Sequence, residues 1–137
     1  VGFNLNFLEW SNAMDVFSGV VTILIIWITL LALNISRIRI QERVGLGDGG
    51  KLSLKKATRA HINALEHTIP FCFIVFILAS NGSSQNLLIS LSAVFLISRI
   101  LHALSYAMTN NLMRQVSAGV TYLCIFYGAY LSLAALL

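Results

Sequence analysis

Charge is scarce in this sequence: Asp, Glu, Lys and Arg supply 10% of the residues, where a water-soluble domain carries about 25%. With 58% of the residues hydrophobic and so little charge to keep a surface in water, a soluble fold is excluded. Proline is nearly absent, with Pro70 alone, so long helices go uninterrupted. The two cysteines, Cys72 and Cys124, stand inside apolar runs, where a thiol acts as a small hydrophobe and supports no disulfide framework. They receive no role. No pair of histidines stands at metal-ligand spacing, so no metal site is expected. The glycines of Gly45-Leu-Gly-Asp-Gly-Gly50 lack a preceding strand and a Gly-Lys-Ser/Thr ending, which argues for a tight turn and against a nucleotide site.

What the chain does have is long apolar runs. A bilayer core about 30 Å thick needs roughly 20 apolar residues per helix, and four stretches qualify. Val16 to Ile35 has no charge and is too long for the apolar core of a signal peptide. The other three lie near Ala57 to Ser80, Leu87 to Met108 and Val116 to Leu137. The expected architecture is an all-α, four-helix transmembrane bundle with helices over about 14–38, 54–80, 86–109 and 115–137. The first dozen residues are read as a trimmed or added start without functional content.

Six of the nine basic residues, Arg37, Arg39, Arg43, Lys51, Lys55 and Lys56, fall between the first two runs. Lys and Arg resist translocation, so the segment 36–57 is expected to face the cytoplasm and both termini the opposite side. The net charge of +4 therefore reports topology, and nucleic acid is not an expected partner. Ser53 is positioned to cap the second helix, and Asn81-Gly-Ser-Ser84 and Asn110-Asn111 to make the later turns.

The remaining information lies in polar residues at membrane depth, which are expensive and face protein or water. In the second run Arg59, Asn63 and Glu66 follow at i, i+4 and i+7, and in the third Arg99, His102 and Tyr106 at i, i+3 and i+7. At 100° per residue each trio spans an arc of about 60°. Because the second helix enters from the basic side and the third returns to it, Glu66 and Arg99 are expected at one level, roughly 10 Å deeper than Arg59 and Tyr106. Two readings follow. In one, Glu66 and Arg99 form a buried ion pair that fixes helix register. In the other, the surplus of Arg marks a wet cleft for an anionic ligand, since guanidinium groups bind carboxylate or phosphate through paired hydrogen bonds. His61 and His67 lie off the Arg59 stripe by roughly 160° and 80° and are read as interfacial and packing residues.

Arg59-Ala-His-Ile-Asn63-Ala-Leu-Glu66 with Pro70-Phe71, and Arg99-Ile-Leu-His102-Ala-Leu-Ser-Tyr106, resemble the signature of the MAPEG superfamily, the membrane-associated proteins in eicosanoid and glutathione metabolism. With the glycine loop, the pattern is similar to the prokaryotic, microsomal glutathione transferase-like branch. The resemblance implies a homotrimer that binds glutathione between subunits near the cytoplasmic face. It implies contacts from Arg37, Arg59, Asn63, Glu66, His102 and Tyr106, with Arg99 beside them and Arg114 as the catalytic arginine. Arg37 and Arg59 would take the carboxylates of glutathione and Glu66 its ammonium. The thiolate would attack a lipophilic electrophile or a lipid hydroperoxide arriving through membrane lipid. Gln115 and Ala118 replace the serine and tyrosine of the prostaglandin-forming members, so prostaglandin isomerisation is not implied. Two other classes stay open: a noncatalytic glutathione-binding or regulatory member, and a small multidrug transporter, against which the surplus of cations around Glu66 argues.

Overall fold

The computed structural model describes residues 2–135. Four helices follow one another: α1 (Gly2–Glu42), α2 (Leu52–Ser80), α3 (Gln85–Met108) and α4 (Asn111–Ala134). All four are long and apolar enough to cross a membrane, α1 through its Ser11–Glu42 portion, so the chain is an all-helical, multi-pass membrane protein. The expected end of the fourth helix at 137 lies outside the described residues.

Helix ends follow local chemistry. The helix α1 closes with Arg43 in the left-handed region (φ 56°), and the amides of Arg43 and Val44 reach back to the carbonyls of Ile40 and Arg39 at 3.3 and 3.0 Å, a reciprocal closure of two orphan acceptors. Asn110 caps α4 by accepting from the Met113 amide at 3.0 Å, and Ser84 caps α3 through Leu87 at 3.4 Å. Ser53 does not cap α2. Lys51 is the N-cap residue and makes no side-chain cap bond, while the Ser53 hydroxyl donates to Glu42 Oε1 at 3.1 Å. The carboxylate at the end of α1 draws off the hydroxyl that the amides of α2 would have used.

Helices α2 and α3 form the middle of the bundle. Both pack against α1 on one side and α4 on the other, and among the described residues α1 and α4 do not meet. The centre is apolar: Phe71 and Phe95 stack with centroids 3.7 Å apart, surrounded by buried Leu24, Val75, Leu78 and Leu88. Pro70 is tolerated within α2, as membrane helices allow.

The approach of α4 to α2 depends on Gly128, where a Cβ would lie 2.5 Å from Ile74 Cγ2. Gly128→Ala forces a shift at that crossing and is expected to cost about 1–3 kcal/mol, the usual penalty of overpacking. Thermal unfolding in detergent measures it, and an unchanged midpoint would show that the two helices part freely there.

Candidate functional site

Two clefts open at the end of the bundle where α1 meets α2. The larger, about 560 Å³, lies between α1, α2 and α3 and includes Trp27, Asn34, Arg37, Lys56 and Tyr106. The smaller, about 200 Å³, lies between α2, α3 and α4 and includes Lys56, Arg59, Tyr106, Thr109 and Arg114. Lys56 and Tyr106 line both and form the partition between them. Lys56 Nζ donates to Thr109 Oγ1 at 2.7 Å, and the Arg114 guanidinium carbon sits 5.5 Å from the Tyr106 ring centroid, within cation–π range. Arg37 Nη2 donates to Asn34 Oδ1 at 2.9 Å. Five cations, Arg37, Lys55, Lys56, Arg59 and Arg114, thus surround the clefts, and neither lining includes a carboxylate. The electrostatics favour an anion.

The other expected site residues lie elsewhere. Arg99 is 1% exposed and has no carboxylate partner. Its Nη1 donates to Asn63 Oδ1 at 2.9 Å, its Nη2 donates to Thr121 Oγ1, and its Nε finds no partner among the described residues. The Phe95 ring lies 5.9 Å below the guanidinium. Glu66 is exposed on the outer surface of α2, so the expected Glu66–Arg99 ion pair is not formed within the chain. The one salt bridge among the described residues joins Glu42 and Lys51 at 3.1 Å, outside the core.

Helical periodicity explains the split. The buried face of α2 runs through Ala57, Ala60, Ala64, Phe71 and Val75, an arc on whose edge Asn63 falls while Glu66 lies roughly 60° further round. Asn63 turns inward and Glu66 outward. On α3 the stripe coincides with the buried face, which carries Phe95, Ser98, Arg99, His102 and Ser105.

His102 lines neither cleft. Its Nδ1 lies 3.2 Å from the Arg114 carbonyl and 3.2 Å from Ser117 Oγ. A carbonyl only accepts, so that bond requires the proton on Nδ1. Nε2 is buried without a partner among the described residues, and the ring meets Tyr106 edge-on at 5.5 Å. His102 therefore fastens α3 to the first turn of α4, the turn that carries Arg114.

Three contributors were not singled out from the sequence. Lys56 had served only as a topology marker. Thr121 and Ser117 supply the α4 side of the polar core: Thr121 accepts from Arg99, donates to the Ser117 carbonyl at 2.9 Å and lies 2.9 Å from Ser98 Oγ. A signal existed, since Ser117, Thr121, Cys124, Gly128 and Ser132 are small residues at helical spacing and all are buried.

The MAPEG family model matches residues 17–134, from within α1 to the end of α4. The Escherichia coli protein named inner membrane protein YecN, in two strains, is 28% identical over 89 residues, which is 64% of this chain and 66% of YecN. The chain thus spans about 66% of the length of these relatives. Both polar stripes and both clefts fall within the family match, and the chain belongs to the MAPEG family.

Proposed function

We propose that this protein is a glutathione-dependent membrane enzyme whose bound thiolate attacks a lipophilic electrophile. The observation that carries the reading is the pair of adjoining clefts at one end of the bundle, lined by Arg37, Lys55, Lys56, Arg59 and Arg114 and free of carboxylates. Glutathione presents two carboxylates and a thiol that must lose its proton to react, so its anionic groups match this lining. Arg37, Lys56 and Arg59 take the carboxylates. Arg114 stands by the sulfur, where a guanidinium favours the thiolate. Conjugation forms a carbon–sulfur bond at the electrophile, either displacing a leaving group that departs with the bonding electron pair or adding to an activated double bond whose electron pair then takes a proton. With a lipid hydroperoxide, two glutathione molecules yield the disulfide, the lipid alcohol and water.

Glu66 supports assembly. A carboxylate exposed along a spanning helix costs about 2.5–3.5 kcal/mol against lipid, and a neighbouring copy, in the homotrimer that the family pattern implies, removes it from lipid. There Glu66 meets the glutathione ammonium. The relative's name places YecN in an inner membrane. The same location fits this chain, with the basic 36–57 segment cytoplasmic and the termini outside.

Stopped-flow absorbance at the thiolate band, with glutathione added to the purified protein, tests the reading. A rise that S-methylglutathione does not reproduce is expected. Glutathione binding without that rise would instead mark a noncatalytic binding protein, and no binding would remove glutathione altogether.

A further inference from the structure

The connector between α1 and α2 is long enough to hang loose, yet it is stapled. Arg39 Nη1 donates to the Gly47 carbonyl at 2.8 Å, Asp48 Oδ1 accepts from the Gly50 amide at 2.9 Å, and the Lys51 amide reaches the Asp48 carbonyl at 2.9 Å. Gly49, at φ +54°, lies so close to Val44 that a Cβ there would come within 2.7 Å of it. Arg43, Gly47, Gly49 and Gly50 all take positive φ. One fixed shape results.

That shape folds back toward the bilayer. The charge-free run ends at Ile35, so Arg39 lies about 6 Å along the helix beyond it. The headgroup layer on each side is about 5–8 Å thick. The Arg39–Gly47 bond therefore holds the loop tip at headgroup level. Leu46, beside it, is 93% exposed, with Ile40 at 79% and Leu52 at 64%.

The charges around these side chains are sorted. Lys51 is paired with Glu42, Arg39 is engaged by Gly47, and Asp48 is turned into its own loop. Among the described residues the side chains of Arg43 and Lys55 make no hydrogen bond or ion pair, and both are exposed. Exposed at and beside the connector are apolar Ile40, Leu46 and Leu52 and cationic Arg43 and Lys55, of which Leu52 and Lys55 also line the clefts.

We propose that this connector is a docking surface for anionic glycerophospholipid headgroups of the leaflet at its end of the bundle, with Leu46 set among the acyl-chain ends and Arg43 and Lys55 on the phosphates. An exposed apolar tip flanked by unpaired cations suits an interface that is apolar below and negative above. Its tip, Arg43 and Leu46, lies outside both clefts, whereas Leu52 and Lys55 border them, and the proposal does not rest on glutathione.

The amides of Gly45, Leu46 and Gly47 are bonded to nothing among the described residues, so their hydrogen exchange reports any new cover. Exchange is measured on the full chain in nanodiscs of phosphatidylcholine alone and of phosphatidylcholine with phosphatidylglycerol in equal parts. Attraction of one Lys or Arg to an anionic surface corresponds to about fivefold in occupancy. Slower exchange at 45–47 in the anionic discs is expected. The increment should disappear in Arg43→Ser/Lys55→Ser and in Leu46→Ser, whose helix content by circular dichroism stays that of the wild type. Glycerol phosphate added to neutral discs should not reproduce it. Equal exchange in both discs, an increment that survives the double substitution, or full reproduction by free glycerol phosphate would each overturn the proposal.

Discussion

Replacing Asn63 by leucine is expected to destabilise the fold by about 3 kcal/mol, and adding Arg99→Met to that variant to return most of the loss. The reason is the state in which each substitution leaves the guanidinium. In the wild type Arg99 is enclosed, its Nη1 on Asn63 and its Nη2 on Thr121, with no carboxylate to offset its charge. Asn63→Leu strips one of those acceptors from a cation that water cannot reach, and Nε is already unpartnered among the described residues. Removing the cation too leaves a methionine of similar length in an apolar setting, and Thr121 keeps its bonds to the Ser117 carbonyl and Ser98. Unfolding midpoints in mixed micelles for the two single variants and the double variant measure the coupling. If the double variant were no more stable than Asn63→Leu, the charge of Arg99 would be held by something other than these neutral groups.

This cluster shows where sequence reading succeeds and where it stops. Spacing alone put Asn63 and Arg99 on two polar stripes but set Glu66, not Asn63, at the level of Arg99, and it is Asn63 that Arg99 meets. It named the wrong acceptor because an arc of about 60° is wide enough to straddle the boundary between the buried and outer faces of α2. Opposite charge then made Glu66 the obvious partner. Which side of the boundary each residue takes is set by how α2 rolls against α3, and that roll is fixed by the alanines at 57, 60 and 64 and by the Phe71–Phe95 stack.

The stripe on α3 held together as a group but changed its meaning. Arg99 and His102 belong to the core that binds α2, α3 and α4, and only Tyr106, one turn nearer the basic end, reaches the clefts. Depth separates the roles. The grouping of Arg37, Arg59 and Arg114 was implied by the family resemblance and not by spacing, because they come from three helices, and Lys56 was not grouped with them. The unassigned small residues of α4 carry the same lesson. A stripe of Ser, Thr, Cys and Gly has little hydrophobic contrast with its neighbours, so its burial becomes visible only once α3 places a guanidinium and an imidazole against it.

Arg114→Ala is expected to lower the rate of glutathione conjugation at neutral pH by about 100-fold or more, the effect of removing one preorganised group at a developing or resting negative charge. Glutathione affinity should change little, because Arg37, Lys56 and Arg59 are untouched. Two features hold Arg114 ready: its guanidinium rests over the Tyr106 ring, and its carbonyl is tied to His102. It also stands in the first turn of α4, where unpaired amides and the helix dipole add positive potential. That potential survives the substitution, so thiolate formation is weakened and not abolished. The sign of the pH dependence follows. A nearby cation favours the thiolate and lowers the thiol pKa, so losing it raises the pKa toward that of a free thiol, about 8.5. The deficit of Arg114→Ala is therefore largest near neutrality and narrows as the pH rises through that value, and Arg114→Lys, which keeps a charge on a more flexible stem, falls between the two. Initial rates across this range with a lipophilic electrophile check the prediction. A deficit of constant size at every pH would mean that Arg114 acts on the electrophile and not on the sulfur.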